Sequence, residues 1–171
     1  MTSTMLQHWT DRILDRGSLG TTPDENWKLV AYEEYKAKLC APDYPCFFGQ
    51  AGEERGEMLY TFTANSRLAE LVTSMRQFVS LLGTPGYERA SLVAFIEPDR
   101  TITDHASFVA RFWHVLQFLH GHDHHPATAR TPNHSLWEFS FESCEMFVVG
   151  ASPTYLHRRS RNLGPGIFLI F

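Results

Sequence analysis

The sequence predicts an α+β domain with a mainly antiparallel sheet and helices packed on one face. Apolar residues recur at helical spacing in some stretches and alternate, or run together briefly, in others. The two kinds of stretch interleave without a regular βαβα rhythm, which argues against a fully parallel sheet. The chain has 171 residues, 43% of them hydrophobic and 13% aromatic, enough for one domain with a ring-rich core.

Taken in order, Thr4–Arg16 predicts a short helix with Leu6, Trp9 and Ile13 on one side and Gly17 as its stop. Asp24–Leu39 predicts a second helix, with Leu29, Tyr32, Tyr35 and Leu39 as its contacts. Pro42 and Pro45 force an irregular passage, since each disfavours helix in the residue before it. Cys46–Gly49 reads as a short buried strand, Gly52–Glu57 as a hairpin-like loop, and Met58–Thr63 as a strand with Met58, Tyr60 and Phe62 on one face. The clearest helix is Arg67–Leu82, with Ser66 to cap it and Gly83 to end it. Ser91–Ile96 is a short apolar strand. Thr103 or Asp104 caps a helix that runs to His120 and stops at Gly121. A polar loop leads to Leu136–Phe141, where Trp137, Phe139 and Phe141 alternate with Glu138 and Ser140 as in a strand. Glu142–Glu145 reads as a hairpin turn, Met146–Val149 as its second strand, Gly150–Gly166 as a loop and Ile167–Phe171 as a last buried strand.

Net charge is −4 and the pI about 6.1, which argues against a general nucleic-acid binder. No apolar run approaches the length of a membrane span, and the N-terminus lacks the basic flank and apolar block of a secretory signal. Three irregularly spaced cysteines, Cys40, Cys46 and Cys144, suggest buried free thiols in a reducing, cytoplasmic setting. The chain stops within an apolar strand with no polar tail. That pattern suggests a truncated form, or an end covered by another chain such as a second copy in a homodimer.

Two groups of residues stand out chemically. Five of the nine histidines fall between His114 and His125. The run His120-Gly121-His122-Asp123-His124-His125 is dense enough to chelate a non-haem metal, and equally suits a solvated loop after a helix C-terminus. His120 borders an apolar helical stripe, a position suited to a hydrogen-bonded rim residue or to an axial haem ligand. Arg158, Arg159 and Arg161 put three guanidiniums in four positions, suited to phosphate, to carboxylates such as haem propionates, or to solvent. Ser140 lacks a nucleophile elbow, which argues against a catalytic serine, while Glu138 faces away from the aromatic side of its strand.

Several segments then carry a resemblance through their order and spacing: Pro45-Cys46-Phe47-Phe48-Gly49, the stretch Phe112–His120, Leu136–Phe141, Phe147-Val148-Val149-Gly150, Ser152-Pro153-Thr154-Tyr155, and Arg158–Asn162. In that order they are similar to the YqcI/YcgG family of bacterial proteins. The resemblance divides residues 1–171 into a helical N-terminal part over 1–44 and a family-like core over 45–171, short at its C-terminus. Characterised relatives of this family include haem-dependent oxygenases that hydroxylate a guanidine nitrogen. The resemblance therefore implies haem b, an electron donor, and a guanidino or amino-acid-like small molecule as substrate. It implies His120 as the iron ligand, with His134 and His157 as alternatives, and Arg158, Arg159 and Arg161 for the propionates or a substrate carboxylate. Trp137, Phe139 and Phe141 would line the pocket, and Glu138, Glu142 or Asp123 would accept a guanidinium. Two further readings remain open: a non-catalytic member that serves as a binding or partner subunit, and a non-haem metal protein built on His120–His125.

Overall fold

The computed structural model describes residues 12–14, 26–126, 132–135 and 137–171. In chain order the elements are α1 (Asn26–Leu39), α2 (Phe47–Glu54), β1 (Met58–Thr63), α3 (Leu68–Leu82), β2 (Ser91–Ile96), α4 (His105–His120), β3 (Phe139–Phe141), β4 (Cys144–Met146), β5 (Val149–Ala151), a 3-10 turn (Arg159–Arg161) and β6 (Ile167–Ile170). The class is α+β. A four-stranded sheet runs in the order β1-β2-β6-β5, and β3 and β4 form a separate two-stranded sheet. β1 and β2 are parallel, joined through α3, whereas β2–β6 and β5–β6 are antiparallel.

Alternation along the strands sorts side chains to two faces. Leu59, Leu92, Ala94, Ile96, Ile167 and Leu169 meet the apolar faces of α3 and α4, the expected helical layer. Tyr60, Phe62, Val93, Phe95 and Phe168 face the other way, where α1 covers them with Ala31, Tyr35 and Leu39. This second core is aromatic: Phe62 and Phe95 stack with centroids 4.7 Å apart, and Phe168 meets Phe95 edge-on at 4.9 Å. At Gly150 of β5, an added Cβ would lie 2.8 Å from the Phe112 ring, so only glycine lets α4 sit this close.

Several boundaries depart from the sequence expectation. Ile13 forms a parallel bridge to Tyr60, so residues 12–14 run beside β1 rather than in a helix. The rest of the expected Thr4–Arg16 helix lies outside the described residues. Cys46–Gly49 is no buried strand: α2 begins at Phe47, and Phe47 and Phe48 are 75% and 82% exposed. The expected loop over Gly52–Glu57 is the end of that helix and the turn after it. Ser66 does not cap α3, whose N-cap position is Arg67, without a side-chain capping hydrogen bond. Strand Leu136–Phe141 shortens to β3, and Met146–Val149 divides between β4 and β5, which belong to different sheets. The β3–β4 turn is Glu142-Ser143, both at positive φ. All three cysteines are free, but Cys40 is exposed and the other two half-buried. Among the described residues, no helix is long and apolar enough to cross a membrane.

Candidate functional site

The residues singled out in the sequence do not converge. His120 is the last residue of α4 and is exposed, as are His122, His124 and His125. His122 turns back on its own helix: its Nδ1 lies 2.8 Å from the Phe118 carbonyl oxygen and its ring packs on Phe118. His124 turns elsewhere, its Nε2 3.0 Å from Arg76 Nη2. Among the described residues, no group of three or more His, Cys, Asp or Glu is placed to hold a metal ion.

The segment acts instead as a clamp on the β3–β4 turn. Asp123 Oδ1 accepts the backbone N–H groups of His125 and Glu142, each at 2.9 Å. Arg76 of α3 donates through Nε to Glu142 (2.9 Å) and through Nη2 to the His122 carbonyl (2.6 Å). The Ser143 N–H donates to the His125 carbonyl at 3.2 Å. Hydrogen bonds from Arg76 hold the Glu142 carboxyl below the usual glutamate range. Glu142 thus does accept a guanidinium, but the protein's own.

The arginine run lies on another part of the molecule. Arg159 pairs with Asp43 at 2.8 Å, and the Tyr44 hydroxyl donates to the Ser160 carbonyl at 3.2 Å. The Arg161 carbonyl accepts the Ser152 N–H, three residues before Tyr155, whose ring packs on His105 and Phe108 at the start of α4. His120 ends the same sixteen-residue helix, one helix length or about 24 Å away. Trp137 packs on Trp113, Phe139 on Phe171 within the core, Phe141 is fully buried, and Glu138 is exposed. His134 and His157 are exposed, like His120. An axial haem ligand needs a dry pocket, and the described residues build none around these three imidazoles.

A different group of polar residues does converge, at one end of the main sheet. There β1, β2 and β5 present their carboxyl ends and β6 begins. Asn65 follows β1 and Glu97 follows β2. The Asn65 N–H donates to Glu97 Oε2 (2.9 Å) and its Nδ2 to the Glu97 carbonyl (3.1 Å). Arg111 reaches over from α4 and donates through Nη2 to Asn65 Oδ1 at 2.7 Å. These three line a pocket with Asp99, Pro153 and Gly166. Its cavity volume is about 20 Å³, room for about one water molecule, and it is partly open to solvent. Gly166 permits this pocket, because a Cβ there would stand 2.8 Å from the Ile96 carbonyl oxygen. Asp99 accepts from Thr101 N and Oγ1, which holds its carboxyl below the usual aspartate range. A guanidinium and two carboxylates around one concavity can bind a small zwitterion. The sequence reading missed this pocket. The available signal was a pair of polar residues, Asn65 and Glu97, each directly beyond an apolar strand.

Comparison with known proteins adds what the site does not say. A match to the YqcI/YcgG family spans residues 35–171. The Streptomyces lavendulae protein named Putative N(omega)-hydroxy-L-arginine synthase DcsA is 26% identical over 156 residues, covering 84% of this chain and 58% of that protein. YqcI of Bacillus subtilis is 26% identical over 158 residues, 85% of this chain and 61% of YqcI. YcgG of the same organism is 26% identical over 151 residues, with 80% and 58% covered. The chain spans about three-fifths of the length of these curated relatives. No solved structure matches it significantly.

Proposed function

Because the chain belongs to the YqcI/YcgG family, we propose that it serves the hydroxylation of a nitrogen in a guanidino or amino-acid-like substrate. The observation that carries the reading is the alignment with a relative named for N-hydroxy-arginine synthesis across 84% of this chain. The Asn65–Glu97–Arg111 pocket supports it, since it offers opposite charges to the two ends of such a substrate. Hydroxylation of an N–H by dioxygen consumes two electrons, so an electron donor is part of the reading. Haem b is the proposed cofactor, and the oxidation itself would be the cofactor's chemistry. The exposure of His120, His134 and His157 favours one further reading, a non-catalytic binding or partner subunit.

Absorption spectra separate the two. Protein purified from haem-supplemented cells is expected to show a stoichiometric Soret band that moves on reduction under carbon monoxide. Well-folded protein without such a band would overturn the haem proposal and leave the subunit reading. With a band present, His120→Ala is expected to remove or shift it. An unchanged spectrum would pass the ligand role to His134 or His157.

A further inference from the structure

Arg111 is half-buried on α4, where a guanidinium is costly unless its donors are used. Nη2 is used by Asn65, but Nε is shielded from solvent and has no hydrogen-bond partner. Buried charged donors are normally satisfied, and an unsatisfied one points to a missing partner. Asn65, for its part, is fixed by two hydrogen bonds to Glu97, so Arg111 is held by a rigid support. The pocket beside it has a cavity volume of about 20 Å³, is partly open to solvent, and has Glu97 and Asp99 in its lining as well. A carboxylate is small and planar, and can take two donors of a guanidinium. A cationic group on the same molecule would then lie against the carboxylates of Glu97 and Asp99 in the same lining.

We propose that this pocket binds a small zwitterion, its carboxylate seated on Arg111 and its cationic group held by Glu97 and Asp99. Arg111 is the residue that distinguishes a ligand with a carboxylate from one without, and Glu97 both accepts the cation and fixes the arm that positions Arg111. The choice of arginine as the probe rests on the proposed function; the pocket chemistry does not.

The test is calorimetric titration of the full-length chain with L-arginine and with agmatine, which keeps the guanidine and lacks the carboxylate. L-arginine is expected to bind at least ten-fold more tightly than agmatine. Arg111→Gln should weaken L-arginine at least ten-fold and leave agmatine unchanged. Arg111→Lys, which keeps the charge and loses the fork, should fall between, and circular dichroism must show both variants folded. Equal binding of the two compounds, undiminished binding of L-arginine to the folded variants, or binding of neither compound would overturn the proposal. That last outcome would mean that Arg111 is satisfied by water alone. The two proposals fail separately. A haem-loaded protein that hydroxylates arginine with the same KM in Arg111→Gln sinks this pocket and keeps the function. Carboxylate-dependent binding lost in Arg111→Gln, in protein that takes up no haem, does the reverse.

Discussion

Among the described residues, Glu53 is a heavily committed side chain. It is 4% exposed, yet its carboxylate accepts from Arg12 Nη1 at 2.9 Å and Nη2 at 3.3 Å, and also from Lys36 and the Tyr60 hydroxyl. Arg12 is itself buried, donates through Nε to the Met58 carbonyl at 2.8 Å, and lies over the Tyr60 ring at 4.9 Å. Burial raises the Glu53 pKa, but the hydrogen bonds from Arg12, Lys36 and Tyr60 outweigh it and hold the group below the usual glutamate range. The network fastens α2 and residues 12–14 to the edge of β1, far from the Asn65–Glu97–Arg111 pocket. Glu53→Gln keeps the shape and removes the charge that two buried or half-buried cations share. It is expected to destabilise the fold by about 3–5 kcal/mol, read from urea unfolding. A loss below about 1 kcal/mol, the level of an exposed pair, would show that water compensates the cations and that the network is not a structural anchor.

At the scale of elements, legibility followed how locally each element is determined. Helix α4 carries its own start signal. Asp104 Oδ1 accepts the Ser107 N–H at 2.8 Å, and Ser107 Oγ accepts the Asp104 N–H at 3.1 Å. Both partners lie within one turn, so the capping box is readable from sequence. Asp104→Ala should lower the melting temperature by a few degrees and speed amide exchange in the first turn of α4. An unchanged melting temperature would mean that Ser107 caps alone. Helix α2 was illegible for the opposite reason. Its buried face is Ala51, Gly52 and Glu53, while its two phenylalanines stand in solvent, so the apolar pattern pointed to the wrong residues. The β3–β4 turn was legible as a turn within Glu142–Glu145, but its tight form was not. Glu142 and Ser143 carry no Asn-Gly signature, and their positive φ values are held by Asp123 and His125, nearly twenty residues earlier in sequence. The Arg111 pocket needs Asn65 and Glu97 from two further elements, and no local window contains all three.

The whole molecule places one carboxylate-centred tie on each side of the main sheet, and this sets its response to acid. Glu53 joins the N-terminal segment, α1 and α2 to β1 beside the α1-covered core. Glu142 joins α3 to the β3–β4 turn beside the other core. Both carboxyls sit below their ordinary value of 4.5 in the folded chain. The unfolded chain therefore binds protons first as pH falls, and stability must drop with it. The contribution of each group is fully present above the ordinary value, declines below about pH 4.5, and is gone once pH passes the folded value. Because Glu53 is buried with three partners and Glu142 is nearer solvent, most of the acid loss should come through Glu53. Urea midpoints measured from pH 7 down to pH 3 are expected to fall steeply for the wild-type chain. Glu53→Gln should start lower and show a shallower acid arm, whereas Glu142→Gln should keep nearly the wild-type slope. Parallel acid arms in wild type and Glu53→Gln would place the linkage elsewhere. The reverse ranking of the two variants would mean that the β3–β4 clamp, rather than the Arg12–Glu53 network, governs the cooperative unit.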